Sequence, residues 1–267
     1  MSGLAPVLPG RPVPSALAQR LAPALDRFAP ISLDELVAAA SLQTRTDRKY
    51  LLDPRASERL LGAMEDRAVV LDTGGRRAFG YESVYVDTPD LLAYRAAAHG
   101  RRRRFKVRTR TYLDTGECVL EVKTQGGRGE TVKERRPHPL ADRDALPPDA
   151  ERFVRTRVGP LLGDAPLRPV LTTTYARSTL LDREAGARLT CDVGLVCTGP
   201  DGDAVVLDDH VLVETKSAGA PGAADRWLWS AGVRPVTISK YCVGLACLRP
   251  ELPANRWHRT LRRYFGR

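Results

Sequence analysis

Basic residues at every second position mark three neighbouring segments near the middle of the chain. The first segment carries Lys106, Arg108 and Arg110. The charged positions of the next two segments are Glu121, Lys123, Lys133 and Arg135. Because the side chains of a β-strand alternate between its two faces, the charges of each segment lie on one face. Their recurrence on successive strands predicts a concave surface that binds an anion.

The same alternation occurs upstream of these segments and again in the second half of the chain. An early segment carries Arg45, Asp47 and Lys49 on one face. The other polar positions are Tyr81, Ser83, Tyr85, Asp87, Thr173, Tyr175, Arg177, Arg188, Thr190, Asp192, Glu214 and Lys216. The residues between them are mainly apolar, as in half-buried antiparallel strands. If the apolar faces point outward to covering helices, the charged faces point into a barrel.

The composition favours an anionic partner. The 42 Lys and Arg residues outnumber the 32 Asp and Glu residues, and the formal net charge is +10. Such an excess suits nucleotides, polyphosphate, nucleic acid or an acidic membrane. The alternative is an arginine-rich surface without a specific role. The spacing of the charges within the strands favours the first explanation.

Other sequence features narrow the class of protein. The five cysteines form no CxxC pair, which argues against a disulfide-stapled secreted domain and against a structural zinc site. The chain has no apolar run approaching the ~20 residues that span a bilayer. The N-terminus lacks the pattern of a signal peptide. These features predict a cytoplasmic protein.

The order of elements predicts an α+β protein. Its antiparallel sheet is expected to close, or nearly close, into a β-barrel with a charged interior, flanked by helices. The predicted strands are 44–52, 80–87, 104–112, 117–124, 130–136, 170–181, 187–197, 204–208 and 210–216. The predicted helices are 32–42, 54–64, 90–98, 150–162, 227–231 and 239–248. We expect a poorly ordered Pro- and Ala-rich tail over 1–30 with one short helical piece, a single domain over 31–250, and a basic amphipathic tail over 251–267.

The polar motifs, taken in order, resemble those of the vacuolar transporter chaperone (VTC) polyphosphate polymerase domain. That domain belongs to the triphosphate tunnel metalloenzymes, which are relatives of the CYTH domains. The resemblance covers roughly residues 40–248. It rests on the segments 45–50, 81–88, 106–112, 120–123, 131–135, 175–177, 188–192, 213–216 and 239–241.

The resemblance implies a tunnel that binds triphosphate, and it assigns roles to matching residues. The cations implied to line the tunnel and act in catalysis are Lys49, Arg108, Arg110, Lys123, Lys133, Arg177, Arg188 and Lys240. The residues implied to contact substrate are Tyr175, Ser239, Lys216 and Lys106. Glu214 matches the carboxylate that binds Mn²⁺ or Mg²⁺, with Glu121 as a second candidate. The implied ligands are ATP or another triphosphate and polyphosphate.

Elementary electrostatics supports such a ligand independently of the resemblance. Two cations ~8 Å apart repel by about 2 kcal/mol at an effective dielectric of about 20. A polyanion relieves this repulsion and accepts charge-assisted hydrogen bonds. A hard divalent ion fits a carboxylate among phosphate oxygens. Phosphoryl transfer depends mainly on positioning and charge stabilisation, so a nucleophilic pair is not required.

Several assignments have alternatives. Lys106 lies either in the tunnel or at its rim, and a salt bridge is favoured over metal binding for Glu121. Asp87 and Asp192 are expected to orient inward-facing arginines. The arginine run 101–104 is expected to be a solvated loop at the entrance. The C-terminal tail is expected either to dock on an acidic membrane or a membrane-protein partner, or to pack against the barrel.

Four functions are compatible with the sequence. The first is an ATP-dependent polyphosphate polymerase, and the second is a triphosphatase that transfers the γ-phosphate to water. Thr237 slightly favours the second, because polymerases of the yeast type carry a further lysine at this position. The third is a non-catalytic sensor of polyphosphate or nucleotide. The fourth, a nucleic-acid binder, depends on charge alone and ranks last.

Overall fold

The computed structural model describes residues 15–39, 46–126 and 131–267. The helices are α1 (Ala16–Asp26), α2 (Leu33–Ala39), α3 (Pro54–Met64), α4 (Leu92–Ala98), α5 (Pro148–Leu162), α6 (Ala223–Ser230), α7 (Lys240–Leu248) and α8 (His258–Tyr264). The strands are β1 (Ala29–Ile31), β2 (Thr46–Leu52), β3 (Ala68–Leu71), β4 (Phe79–Asp87), β5 (Arg104–Tyr112), β6 (Glu117–Gln125), β7 (Thr131–Pro137), β8 (Arg168–Asp182), β9 (Ala187–Thr198), β10 (Ala204–Leu207) and β11 (Val211–Ser217).

The strands form one curled sheet. Its main path runs β2-β11-β9-β8-β4-β5-β6-β7, with antiparallel pairing between neighbours. β10 extends β9, and β3 pairs with β8 and, in parallel, with β1. The α+β class and the antiparallel, helix-flanked sheet are therefore confirmed. The sheet is a half-barrel, because within the described ranges β2 and β7 end the hydrogen-bonded path and are not paired with each other.

Local sequence signals explain several helix starts. Ser32 and Glu35 form the expected capping box, in which the hydroxyl accepts from the backbone of Glu35 and the carboxylate accepts from the backbone of Ser32. Asp53 caps α3 through a 2.8 Å bond from the Ala56 backbone, and Pro54 occupies the first turn. Asp53 and the capping box therefore define the starts of α3 and α2.

Helices cover the convex face of the sheet in two groups. α1, α3 and α6 pack on β2, β9 and β11, and α5 packs on β5 and β6. These contacts bury the apolar positions of the strands. The alternating charged positions therefore point to the concave side.

α7 lies differently, because it packs against residues of the concave parity. Tyr241 stacks on Tyr85 with ring centroids 5.0 Å apart. A Cβ on Gly244 would lie 2.9 Å from both Cys197 Sγ and Leu171 Cδ2, so glycine allows α7 to approach the sheet closely. α7 therefore fills one end of the half-barrel.

The described parts of both terminal segments pack against the sheet. Within the N-terminal segment, where one short helical piece was expected, α1 buries Leu17, Leu21 and Leu25 against the sheet. The basic segment 251–267 buries Trp257 and Leu261 in the core that contains α7. It packs against the barrel, and its apolar side does not face solvent. Among the described helices, none is long and apolar enough to cross a membrane.

Candidate functional site

The strand register aligns the predicted cations on the concave face. Lys106 of β5 lies opposite Lys123 of β6, which in turn lies opposite Lys133 of β7. Desolvation is the main reason that the pKa of Lys106 and that of Lys123 are lowered, and Lys49 lowers both further. This wall of the concavity therefore carries a row of like charges, of which Lys133 is paired with Glu121.

The facing wall combines cations with a carboxylate. Glu214 of β11 lies opposite Lys49 of β2, and Lys216 lies opposite Asp47 and Arg188. Glu214 forms an ion pair with Lys216, whose ammonium is also 3.8 Å from Asp47. Burial alone would raise the pKa of Glu214, but the nearby cations, led by Lys49 and Lys216, hold it well below its ordinary value. Glu214 is therefore ionised.

The Glu214 carboxylate fits a hard divalent cation only in part. It supplies anionic oxygen, the donor type that Mg²⁺ and Mn²⁺ prefer. Across the described residues, however, His, Cys, Asp and Glu form no group of three or more that would hold an ion. Such sites commonly use one or two carboxylates together with substrate phosphates. Glu214 fits that arrangement, in which the metal enters with its phosphate ligand.

Glu121 belongs to an ion-pair cluster. Its carboxylate accepts from Arg108 Nε at 2.6 Å and also pairs with Lys133. Burial opposes ionisation of Glu121, but Arg108, Arg110 and Lys133 outweigh burial and lower its pKa to about 2. The expected salt bridge is present, with Arg108 and Lys133 as partners. Because both carboxylate oxygens have cationic partners, Glu121 is the poorer metal ligand of the two candidates.

Asp192 joins two of the predicted catalytic cations. Arg177 donates to its two oxygens at 2.6 and 2.8 Å, and Lys240 pairs with the second oxygen. The side chain of Asp192 is 1% exposed. Its pKa is lowered to about 2, because Arg177 and Lys240 outweigh the effect of burial. The expectation that Asp192 orients an inward arginine is thus confirmed, and it orients Lys240 as well.

Tyr175 lies among three cations. Arg110 Nη2 donates to its hydroxyl at 3.2 Å, and Lys240 Nζ is 4.2 Å from the ring centroid. Burial opposes ionisation of Tyr175, but Arg110, Arg177 and Lys240 outweigh burial and lower its pKa. The cations around Tyr175 thus favour negative charge at its hydroxyl.

The segment before α7 closes the end of the concavity. Lys106 donates to Ser239 Oγ at 2.7 Å, and Lys49 donates to the Ile238 carbonyl at 3.3 Å. Ser239 also caps α7, with its hydroxyl 3.4 Å from the Cys242 nitrogen. Lys106 is thus inside the site and held by a partner on the closing segment.

All of the predicted site residues face the same concavity, and the cations among them outnumber the carboxylates. Lys123 and Lys133 are its more solvent-exposed members. Arg45, from the early segment, lies outside the described residues. Thr237 is exposed, and its carbonyl accepts from Thr260 Oγ1 at 3.1 Å.

Two polar residues differ from the expectation. Asp87 does not orient an arginine: it accepts from the Ala93 and Tyr94 backbones at the start of α4 and from the Tyr241 hydroxyl. Tyr81 was not assigned a role, yet its ring lies 5.5 Å from the Arg110 guanidinium and 5.3 Å from that of Arg177. Tyr81 is two residues before Ser83 on the same strand, and this spacing could have predicted that it lies on the concave face.

These features define a half-barrel protein with a cationic, partly plugged concavity. The sequence model of the VTC domain matches residues 44–249. The chain therefore belongs to the VTC-domain family. No curated protein matches it significantly.

Two solved structures illustrate the likeness of fold. A putative adenylate cyclase from Bacillus halodurans is 15% identical, with 72% of this chain and 92% of that chain covered and a TM-score of 0.49. A putative adenylyl cyclase from Hippeastrum, described as having a dominant triphosphatase activity, is 16% identical, with 80% and 100% covered and a TM-score of 0.47. At this level of similarity neither protein transfers a function to the chain.

Proposed function

We propose that the protein is an ATP-dependent polyphosphate polymerase. It transfers the γ-phosphate of ATP to orthophosphate or to the end of a polyphosphate chain and releases ADP. The observation that carries this proposal is the convergence of Lys and Arg side chains from seven strands on one concavity of a VTC-domain protein. Since the substrate is ATP, we also propose a cytoplasmic location.

The arginines are best suited to hold the donor triphosphate. Arg108, Arg110 and Arg177 present planar guanidinium groups that bind phosphate oxygens in bidentate fashion. Glu121 and Asp192 fix two of these groups before substrate arrives. Such preorganisation lowers the cost of binding charge in the transition state.

The reaction needs an acceptor oxygen in line with the donor. That oxygen attacks the γ-phosphorus, and the bond to the β–γ bridging oxygen breaks, so that ADP leaves with the electron pair. Lys240 and Ser239, at the closed end, are suited to hold the acceptor. The polyphosphate chain would then lie along Lys49, Lys106, Lys123 and Lys133. Tyr175, Arg188 and Lys216 complete the phosphate contacts.

Glu214 is the residue proposed to hold Mn²⁺ or Mg²⁺ together with the phosphates. A bound divalent ion would supply charge neutralisation on the triphosphate oxygens. Lys216 is the existing partner of Glu214, and Lys49 lies opposite it on β2. When the Glu214 carboxylate exchanges Lys216 for a divalent ion, Lys216 and Lys49 would be free to contact the phosphates bound to that ion.

A triphosphatase is the second candidate function. The observation that favours it is Thr237, a neutral residue where yeast-type polymerases have a lysine. If the acceptor polyphosphate binds more weakly, water can take its place as the acceptor of the γ-phosphate. The donor site would be the same in both reactions, so only the products distinguish them.

The test is to incubate the purified protein with ATP, Mn²⁺ and a trace of pyrophosphate and to measure long-chain polyphosphate and free phosphate. Polymer that is lost in Arg108→Ala and in Glu214→Gln, but not in the surface control Arg183→Ala, supports the polymerase. Free phosphate without polymer supports the triphosphatase. Tight triphosphate binding with neither product contradicts both and leaves a sensor.

A further inference from the structure

A second basic site lies in a surface groove formed by α4, α5 and the start of β5. A groove of about 280 Å³ is lined by Leu92 and Ala96 of α4, Phe105 of β5 and Leu161 of α5, together with three arginines. The arginines are Arg101, Arg102 and Arg103, in the loop that precedes β5. The groove thus combines an apolar floor with a cationic rim.

The rim arginines have no carboxylate partners among the described residues. All three are exposed, and no ion pair involves them. Neighbouring arginines on α5 differ: Arg155 pairs with Glu151 and Arg157 pairs with Glu134, each at 2.7 Å. Arg155 and Arg157 are thus neutralised by carboxylates, whereas the three rim arginines are not.

A further cation strengthens the positive potential beside the groove. Arg256 approaches the loop closely, because a Cβ on Gly100 would lie 3.4 Å from its Nη1. Burial and the charge of Arg256 both lower the pKa of Arg104. Like charges held this close cost free energy in the absence of an anion. The loop therefore favours an anionic ligand.

The floor of the groove indicates what kind of anion fits. Leu161 is 37% exposed, one of the few large apolar side chains at the surface. A purely inorganic anion would contact the guanidinium groups and leave this apolar floor in water. A phosphate headgroup with attached acyl chains would use both parts, because its charge meets the rim and its first methylenes meet the floor.

The position of α8 excludes the alternative route to a membrane. A basic amphipathic helix binds a bilayer by burying its apolar face in the interface. Here that face is occupied, since Trp257 and Leu261 are each 3% exposed in the core. Trp257 and Leu261 are therefore not available to a membrane, whereas the arginine groove presents apolar and cationic groups side by side.

We propose that this groove docks the protein on the surface of an anionic phospholipid membrane. Arg101, Arg102 and Arg103 contact the phosphate headgroups, and Leu161 contacts the upper acyl region. The proposal does not depend on the reaction catalysed in the concavity. Docking would hold the protein at a bilayer.

The test is co-sedimentation with vesicles of phosphatidylcholine alone or with 30% phosphatidylglycerol, about the anionic content of a strongly charged leaflet. We expect binding only to the anionic vesicles. The variant with Arg101, Arg102 and Arg103 all changed to Ala should bind on the order of 100-fold more weakly. Leu161→Ser, which leaves the charge unchanged, should also weaken binding, by about fivefold.

The matched control changes Arg55, Arg183 and Arg234 to Ala, which removes the same charge from exposed positions outside the groove. This control should retain binding to within about threefold. Equal losses in the control and the groove variant would overturn the proposal in favour of nonspecific attraction. The proposal would also be overturned if the protein did not bind anionic vesicles. It would be overturned too if the three arginines were needed for binding polyglutamate and not for binding vesicles. Circular dichroism verifies that each variant is folded.

Discussion

At the scale of single residues, Glu214 is the most informative position. It is ionised and paired with Lys216, and it faces the cations that we propose hold the triphosphate. Replacing it with Gln keeps the shape but removes the charge available to a divalent ion. We expect Glu214→Gln to lower kcat on the order of 100-fold or more, while tripolyphosphate binds as tightly as before or more tightly.

The measurement for Glu214 is steady-state turnover together with calorimetric binding of tripolyphosphate in the absence of metal. Glu117→Gln is a suitable control, since Glu117 is an exposed carboxylate at the start of β6. If kcat is unchanged in Glu214→Gln, Glu214 has no role in the reaction. Loss of tripolyphosphate binding would show that its role is to position the cations.

Asp192 gives a prediction about stability and pH. Its buried carboxylate neutralises Arg177 and Lys240, so Asp192→Asn leaves two cations without their shared partner. We expect the free energy of unfolding at pH 7 to fall by about 3–5 kcal/mol. Urea unfolding monitored by circular dichroism measures this change, and Asp201→Asn in an exposed turn is the control.

The pH dependence follows from the lowered pKa of Asp192. Its folded-state pKa is about 2, below the ordinary value near 3.8, so ionisation stabilises the folded protein. This contribution is fully present above about pH 4 and is lost as the pH falls toward about 2. The difference in stability between wild type and Asp192→Asn should therefore shrink by about 2 kcal/mol over that interval. A constant difference would contradict the assigned pKa.

At the scale of elements, the close contact of α7 with the sheet depends on Gly244. A valine there would collide with Cys197 and Leu171, both buried side chains. We expect Gly244→Val to cost about 1–3 kcal/mol in the free energy of unfolding and to raise KM, since α7 carries Ser239 and Lys240 at its start.

A second glycine provides the control for this prediction. A Cβ on Gly159, inside α5, meets nothing within 4 Å. Gly159→Ala should therefore stabilise the protein by about 0.5–1 kcal/mol through helix propensity and leave KM unchanged. An unchanged KM in Gly244→Val, in spite of lost stability, would show that α7 does not contribute to substrate binding.

Alternation along the strands made much of the sheet predictable. Lys106, Arg108 and Arg110 were placed on one face by spacing alone, and the register confirms that face. β3 was missed because its four residues are all apolar and buried, without alternation. The bounds of α1 were not predicted, because Pro23 and the proline-rich sequence around it obscured the apolar spacing of its buried leucines.

The partners of the site residues were less predictable than their faces. Asp192 and Lys240 are 48 positions apart in sequence, and their contact depends on the path of α7 into the half-barrel. Local spacing contains no information about that path. Asp87 illustrates the same limit: its alternation with inward residues was correct, but its partners proved to be the start of α4 and Tyr241.

At the scale of the whole molecule, the excess of cations in the concavity makes stability depend on a ligand. A polyanion that binds only the folded state adds about 2.7 kcal/mol at a concentration 100-fold above its Kd. We expect tripolyphosphate to raise the Tm by about 5–10 °C for a chain of this size. Differential scanning fluorimetry measures the shift, and adenosine, which carries no phosphate, should produce none.

The salt dependence of the Tm should differ between the free protein and the protein with tripolyphosphate bound. In the free protein, the cations of β5, β6 and β2 repel one another, and added salt screens this repulsion. The Tm of the free protein should therefore rise between about 50 and 300 mM NaCl. With tripolyphosphate bound, the dominant interaction is attractive, so the same salt should weaken binding and lower the Tm. Arg108→Ala should reduce both slopes, whereas slopes of the same sign with and without ligand would show that the concavity is not the main source of the electrostatic free energy.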